Sequence, residues 1–266
     1  MSAGILTRDG AEGAAVRRLP DVTLLAVTDV ALSATARALN LSQRRLRFGE
    51  TLFLSNRPPP PNTEAEWRPI PPIGSRSEYS RFMLRDLAAH IATQHVLCAQ
   101  WDGYVLDPDQ WDSAFLDYDY IGAPWPHFAD GMRVGNGGFS LRSRRLIEAC
   151  AELPITDEPE DVAICRTHRP MLEKRFGLHF APEEVARRFA YERMIPTGKE
   201  FGFHGALNMI GLMSSRELRS LLRELEPNLL NRREHRELLY SAFRRLDLRL
   251  AGVIWQRLRH EQMRAR

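Results

Sequence analysis

Three short apolar runs, Val22-Thr-Leu-Leu-Ala-Val27, Glu50-Thr-Leu-Phe-Leu54 and Val96-Leu-Cys-Ala99, are separated by stretches with helical spacing. The runs are too short for core helices, and each predicts a buried strand. Between the first two, Asp29 or Ser33 is placed to cap a helix running through Leu46. Between the second and third, Ser77-Glu78-Tyr79-Ser80 opens a helix whose apolar positions Phe82, Met83, Leu87 and Ile91 recur at helical intervals. The prolines at 58 to 61, 69, 71 and 72 confine the rest of that stretch to irregular backbone. Alternation of strand and helix leaves one economical solution, a parallel sheet with crossover helices on its faces. An α/β fold is therefore expected.

The chain has 266 residues, 44% apolar and 27% charged, enough for one large domain or one domain with an appendage. That balance excludes collagen, coiled coil and wholesale disorder. No uncharged apolar run approaches ~18 residues, which excludes a transmembrane helix. The N-terminus carries Arg8, Asp9, Glu12, Arg17 and Arg18 without an apolar core, so it does not read as a secretory signal. Cys98, Cys150 and Cys165 are widely spaced and form no CxxC pair or zinc pattern; buried, reduced thiols in a cytoplasm are expected.

Net charge is +3 but unevenly placed: Ser215 to Arg266 holds 13 Arg against 7 Asp and Glu, leaving the first 214 residues at −3. This tail reads as helical, with Pro227 as a break. Its interleaved Glu and Arg fit a solvated face, while the surplus of Arg fits contact with an acidic membrane or polymer. The acidic body, with no nucleic-acid motif, argues against a nucleic-acid binder.

Standard signatures are missing: no GxxxxGK[ST], no GxGxxG after the first strand, no HExxH and no GxSxG. The polar features lie elsewhere. Asp102 stands just past the third strand, between Trp101 and Gly103, where open α/β sheets bind ligands and where a carboxylate reaches a divalent cation or caps a turn. Asp117 and Asp119 form a literal DxD, carboxylates that would share one face of a strand. Tyr120 and Trp125 are either stacking surfaces or core. Gly135-Asn-Gly-Gly-Phe-Ser-Leu-Arg142 is either a hairpin turn or a loop that brings Gly137 and Gly138 against a ligand, with Arg142 as an anion partner or surface Arg. Glu158-Pro-Glu-Asp161 opens a helix and supplies either first-turn acids or a general base. His204 sits alone in Phe201-Gly-Phe-His204-Gly205.

In this order, Gln100-Trp-Asp-Gly-Tyr-Val105, Trp111, Tyr118-Asp-Tyr-Ile-Gly-Ala-Pro-Trp125, Gly135 to Arg142, Glu160-Asp161 and Phe201 to His204 resemble the DUF5672 family, a GT-A-like glycosyltransferase domain. The resemblance spans roughly Leu24 to Gly205. It implies a GT-A-like (Rossmann-like) mixed α/β sheet flanked by helices over residues 20–212, after a flexible segment 1–19 and before a C-terminal helical extension 213–266. It implies sugar transfer from a nucleoside-diphosphate sugar donor to a hydroxyl of a glycan or lipid-linked saccharide acceptor in surface glycan biosynthesis; a single displacement with inversion is the expected course, and these residues leave retention open as the alternative. Asp102 and His204 correspond to ligands of Mn²⁺ or Mg²⁺, although the usual DxD is reduced here to Trp101-Asp102-Gly103. Asp161, then Glu160, corresponds to the catalytic base. Thr28 and Asp29 fall at the nucleotide end of the first strand, and Trp101, Trp125, Gly137, Gly138 and Arg142 line donor and acceptor. The expected location is the cytoplasm, with contact at the inner membrane face through the basic C-terminal helices as the alternative to a solvated helix face. A non-catalytic carbohydrate- or nucleotide-binding protein of the same fold is the rival expectation.

Overall fold

A computed structural model describes residues 15–154 and 157–264, the last five by backbone alone. The expectations for residues 1–14 lie outside the described residues. In chain order the elements are β1 (Arg17–Val27), α1 (Leu32–Ser42), β2 (Leu46–Ser55), β3 (Glu66–Pro69), α2 (Arg76–Arg85), β4 (His95–Ala99), β5 (Tyr104–Val105), β6 (Tyr120–Gly122) and β7 (Phe139–Ser143). There follow α3 (Arg144–Cys150), α4 (Glu160–Val162), α5 (Arg169–Phe176), α6 (Glu183–Phe189), β8 (Ala190–Tyr191), β9 (Gly202–Phe203), α7 (Ala206–Leu212), α8 (Ser215–Glu224), α9 (Arg232–Arg244) and α10 (Leu248–Arg264).

The main sheet has six strands in the order β3-β2-β1-β4-β7-β6. β3, β2, β1 and β4 run parallel, while β7 is antiparallel to both β4 and β6. The expected mixed sheet flanked by helices is thus formed. The apolar runs are continuous because both faces are covered. Leu24, Ala26, Phe53, Leu97 and Ala99 point to the side holding α1, where Ala36 and Leu39 meet them. Leu25, Val27, Leu52, Leu54, Val96 and Cys98 point to the other, against Phe82 and Met83 of α2. Adjacent residues in one strand therefore serve opposite cores.

Several boundaries differ from expectation, each for a physical reason. β1 starts at Arg17 rather than after residue 19, because Arg17 to Leu19 pair with Leu46 to Phe48. α1 is capped by neither Asp29 nor Ser33. Its N-cap is Ala31, left-handed at φ 50°, whose amide donates to Glu226 from the α8–α9 link. The Asp29 carboxylate instead accepts from the amides of Asn56 and Ile73. α2 begins at Arg76 because Ser75 accepts the Glu78 amide. The helix that Glu160 opens is not continuous: α4 passes into a π-helical turn at Ala163–Thr167, and α5 starts afresh at Arg169 with Pro170 in its first turn.

A second, three-stranded sheet, β5-β9-β8, sits beside the tip of β4. The C-terminal helices close over it: Leu218, Leu221, Leu238 and Ile254 share a core with Tyr104, Phe203 and Ala38. Cys98, Cys150 and Cys165 are buried and unpaired with one another.

Candidate functional site

A cavity of about 410 Å³ opens at the C-terminal tips of β1 and β4. Thr28 and Asp29 line it from β1, Gln100 and Trp101 from β4, and Tyr79 from α2. Asn228 and Leu229 of the α8–α9 link complete the wall. A parallel sheet leaves such a crevice where crossovers leave adjacent strands to opposite sides. Here β1 continues into α1 on one face and β4 into the small sheet. Thr28 Oγ1 donates to the Val30 carbonyl, and with the two bonds of Asp29 it sets the shape of the cavity rim.

Asp102 follows Trp101 directly and is buried. The register of the small sheet determines what meets it. β5 pairs with β9 antiparallel at Tyr104 and Phe203, so the residues just before one and just after the other lie together. β8 pairs with β9 in parallel at Tyr191 and Phe203, which brings Glu192 beside His204. The result is a buried row. His204 Nε2 lies 3.4 Å from Asp102 Oδ1, and His204 Nδ1 lies 3.8 Å from Glu192 Oε1. Backbone bonds hold the row: Gly205 N–H donates to Asp102 O, and His204 N–H to Tyr191 O. Burial works against the imidazolium, but the Asp102 and Glu192 carboxylates outweigh it and raise His204 to about 10. Burial likewise works to raise Glu192, and contact with His204 holds it below the ordinary carboxylate range.

The glycine loop packs onto this row. A Cβ on Gly138 would stand 2.0 Å from His204 Nε2, and one on Gly137 2.3 Å from Glu160 Oε1. Both positions need glycine because side chains occupy the space a Cβ would take. Asn136, left-handed at φ 66°, accepts the Gly138 amide on its side-chain oxygen. The loop is not a tight hairpin: it ends the long connection between β6 and β7. On its other side the Gly137 amide donates to Asp161 Oδ2 at 3.0 Å. His204 and Asp161 therefore meet the Gly137–Gly138 segment from its two sides, and Asp102 reaches it only through His204. Gly138→Ala is expected to cost about 1–3 kcal/mol, because the His204 ring is held between two carboxylates and has no room to move. Urea denaturation reads this out, and a cost near zero would show the ring to be loosely held.

The structure separates the remaining candidates. Arg142 is not an anion site open to ligands. Its side chain is 1% exposed and donates to Glu160 at 2.9 Å, Ser140 Oγ at 3.0 Å and the Gly137 carbonyl at 3.5 Å. Glu160 is thereby occupied by Arg142, whereas the Asp161 carboxylate is engaged by two backbone amides, those of Gly137 and Val162. Burial and the neighbouring Asp161 carboxylate push Glu160 upward, against the pull of Arg142. Trp125 is core, its ring covered by the Gly135 backbone and packed on Phe128. Tyr120 is core too, stacked on Phe180. The DxD pair does not form a shared strand face, because Asp117 ends a 3₁₀ turn and is exposed, while Asp119 is buried. Asp119 accepts from Ser143 Oγ and the His179 amide, which ties β7 to the segment before α6.

Glu192, Tyr79, Asn228 and Leu229 were not visible as site residues in the sequence. Glu192 follows a two-residue strand with no motif around it, and only the β8–β9 register places it at His204.

Whether the residues present fit a divalent cation is testable on the row itself. Asp102 Oδ1 and both His204 ring nitrogens are buried without a hydrogen-bond partner. A separation of 3.4 Å suits two neighbouring donors on one ion with bonds of about 2.1 Å. Among the described residues no group of three or more His, Cys, Asp or Glu is arranged to hold a metal. Asp102 thus fits as one ligand of a shell that substrate oxygens and water would complete, and His204 joins it only in the neutral form, after giving up the proton that its two carboxylates stabilise.

No curated protein matches the chain in sequence. Solved structures align with it at low identity. A glycosyltransferase involved in glycosylating the major capsid of PBCV-1 is 12% identical over 70% of this chain and 92% of its own, with a TM-score of 0.44. The galactosyltransferase LgtC, bound to donor and acceptor sugar analogues, is 14% identical over 83% of this chain and 100% of its own, at 0.43. The mannosyltransferase PcManGT from Pyrobaculum calidifontis, with GDP-Man and Mn²⁺, is 9% identical over 93% and 78%, at 0.42. The family described as a protein of unknown function (DUF5672) matches residues 65–204, more than half of the sequence, and the chain belongs to that family.

Proposed function

We propose that the protein is a glycosyltransferase that moves a sugar from a nucleoside diphosphate to a hydroxyl acceptor. The observation that carries this is that His204 and Asp161 flank the Gly137–Gly138 segment, with Asp102 on His204 and Trp101 joining Asp102 to the cavity wall. A cavity of about 410 Å³ accommodates a nucleoside. Thr28 and Asp29 form its rim, and Trp101 offers a ring at the end nearest Asp102.

Asp102 and His204 would hold the cation, which when bound would supply positive charge to the departing diphosphate. The rest follows from the chain's own groups. Asp161 Oδ1 and Oδ2 accept from the Val162 and Gly137 amides, which orient the carboxylate while leaving it lone pairs for an acceptor hydroxyl. A base in that place takes the hydroxyl proton as the sugar carbon is attacked, a single displacement that inverts the anomeric centre. Gly137 and Gly138 let Glu160 and His204 close onto the loop backbone, which fixes the positions of Asp161 and His204 relative to one another.

The test is a thermal-shift screen of nucleoside diphosphates and sugar nucleotides, with and without Mn²⁺ or Mg²⁺. A ligand present at ~100 times its Kd is expected to stabilise the fold by about 2.7 kcal/mol. Asp102→Ala is expected to abolish the metal-dependent part of that shift. If no nucleotide in any metal raises the melting temperature, the proposal fails.

A further inference from the structure

The C-terminal helices carry an apolar surface that no other described part of the chain covers. Tyr240 (64% exposed) and Phe243 (52%) lie on α9, Leu246 (85%) in the link, and Leu248 (71%) and Trp255 (53%) on α10. On α9 the inward residues are His235, Leu238 and Ala242, and on α10 they are Leu250, Ile254 and Leu258. At about 100° per residue, Phe243 lies to the side of the first set and Tyr240 nearly opposite it, while Leu248 and Trp255 form a stripe to the side of the second. The opposite flank of each helix is occupied: Arg245 reaches the Ile210 carbonyl of α7, and Arg257 the carbonyls of Leu222, Leu225 and Glu226 around α8. The exposed side chains therefore lie on the outer surface of the α9–α10 pair, away from the flanks that face α7 and α8, with Leu246 in the link between the two helices.

Positive charge surrounds this patch. Arg236, Arg244, Arg249 and Arg259 are exposed on the same two helices, and Arg244 lies 5.9 Å over the Tyr240 ring. The nearby acids are engaged: Glu237 pairs with Arg233 at 2.7 Å, Asp247 with Arg219 at 3.8 Å, and Glu234 closes the α9 capping box. Among the described residues no helix is long and apolar enough to cross a membrane. An aromatic and aliphatic ridge fringed by Arg instead has the chemistry of an element that lies in an anionic lipid interface. Tyr and Trp place their rings at the headgroup level, Leu and Phe enter the acyl boundary, and Arg meets lipid phosphate. A second copy of this face is a poor occupant, since two patches with the same excess of Arg repel when brought together.

We infer that the α9–α10 hairpin docks the protein on an anionic lipid surface through Tyr240, Phe243, Leu246, Leu248 and Trp255, with the flanking arginines on the headgroups. This does not depend on the reaction proposed above. It does place the cavity near the lipid: Asn228 and Leu229, which wall the cavity, stand at the far end of α9, about 20 Å from the link.

The test uses the full chain and cosedimentation with vesicles of phosphatidylcholine alone or of phosphatidylcholine with phosphatidylglycerol. Binding is expected only to the second, and to weaken as salt is raised. Phe243→Ser/Trp255→Ser is expected to lower it about tenfold or more with the melting temperature unchanged, because both side chains are exposed in the free protein. Arg244→Glu/Arg249→Glu is expected to lower it about as much through charge alone. Absence of binding to the anionic vesicles overturns the inference, as does binding that both variants retain. A lipid-free dimer that Phe243→Ser/Trp255→Ser dissociates would assign the patch to a second copy instead.

Discussion

Arg142→Met is expected to lower the stability of the fold by about 3–5 kcal/mol. Arg142 stands on β7 inside the sheet, between Val96 of β4 and Tyr120 of β6, with its guanidinium over the Tyr120 ring at 5.4 Å. Its partner Glu160 has a side chain only 7% exposed. Methionine fills much of the same volume but leaves a buried carboxylate with no counter-charge, and the Ser140 and Gly137 oxygens lose a donor. The cost lies in stranding the charge rather than in losing a favourable pair, so Arg142→Met/Glu160→Leu is expected to recover most of the loss. The pH dependence follows from the direction of the Glu160 shift. Burial and Asp161 already raise it, and without Arg142 it rises further. A carboxyl raised on folding contributes stability while it is protonated and loses it as pH climbs through the folded value. The deficit of the single variant is therefore expected to widen from about pH 5 to about pH 8. Urea denaturation at both pH values measures it. A deficit below about 1 kcal/mol, or one that narrows with pH, would show that the pair is not what joins the glycine loop to the start of α4.

Asp161→Asn is expected to lower turnover by ~10²–10⁴-fold while leaving donor affinity nearly unchanged. Asparagine keeps an oxygen to accept the Gly137 amide, so the loop stays in place and only the capacity to take a proton is removed. Calorimetric titration with the nucleotide that the thermal screen identifies, beside a transfer assay with the same donor, separates the two effects. If donor affinity and turnover fall together, Asp161 is holding the loop rather than the proton. If the parent binds the donor and neither transfers nor hydrolyses it, the chain is a binding protein of this fold, and Asp161→Asn will change nothing.

The sheet was legible because its signals are local. Val22 to Val27 and Val96 to Ala99 are apolar on both faces, and only a strand covered from two sides uses such a run. The neighbourhood of Asp102 was legible for a related reason, since the tip of a central parallel strand is a crevice whatever the rest of the chain does. Cap choice at α1 was not. Asp29 has the right chemistry for an N-cap, but amides of Asn56 and Ile73, from two other segments, occupy its carboxylate.

What the sequence by itself determined is the layered α/β architecture and the four polar segments that supply the site. Strand and helix follow from periodicity within a few residues of each other. The tertiary structure alone decided which of those polar groups remain available. Arg142 and Glu160 neutralise one another, Asp119 braces backbone, and Trp125 and Tyr120 vanish into the core. Glu192, unmarked in sequence, joins His204 through a two-residue strand pairing. A buried charge takes whichever partner the strand register brings within reach, and register between distant segments is a property of the assembled sheets.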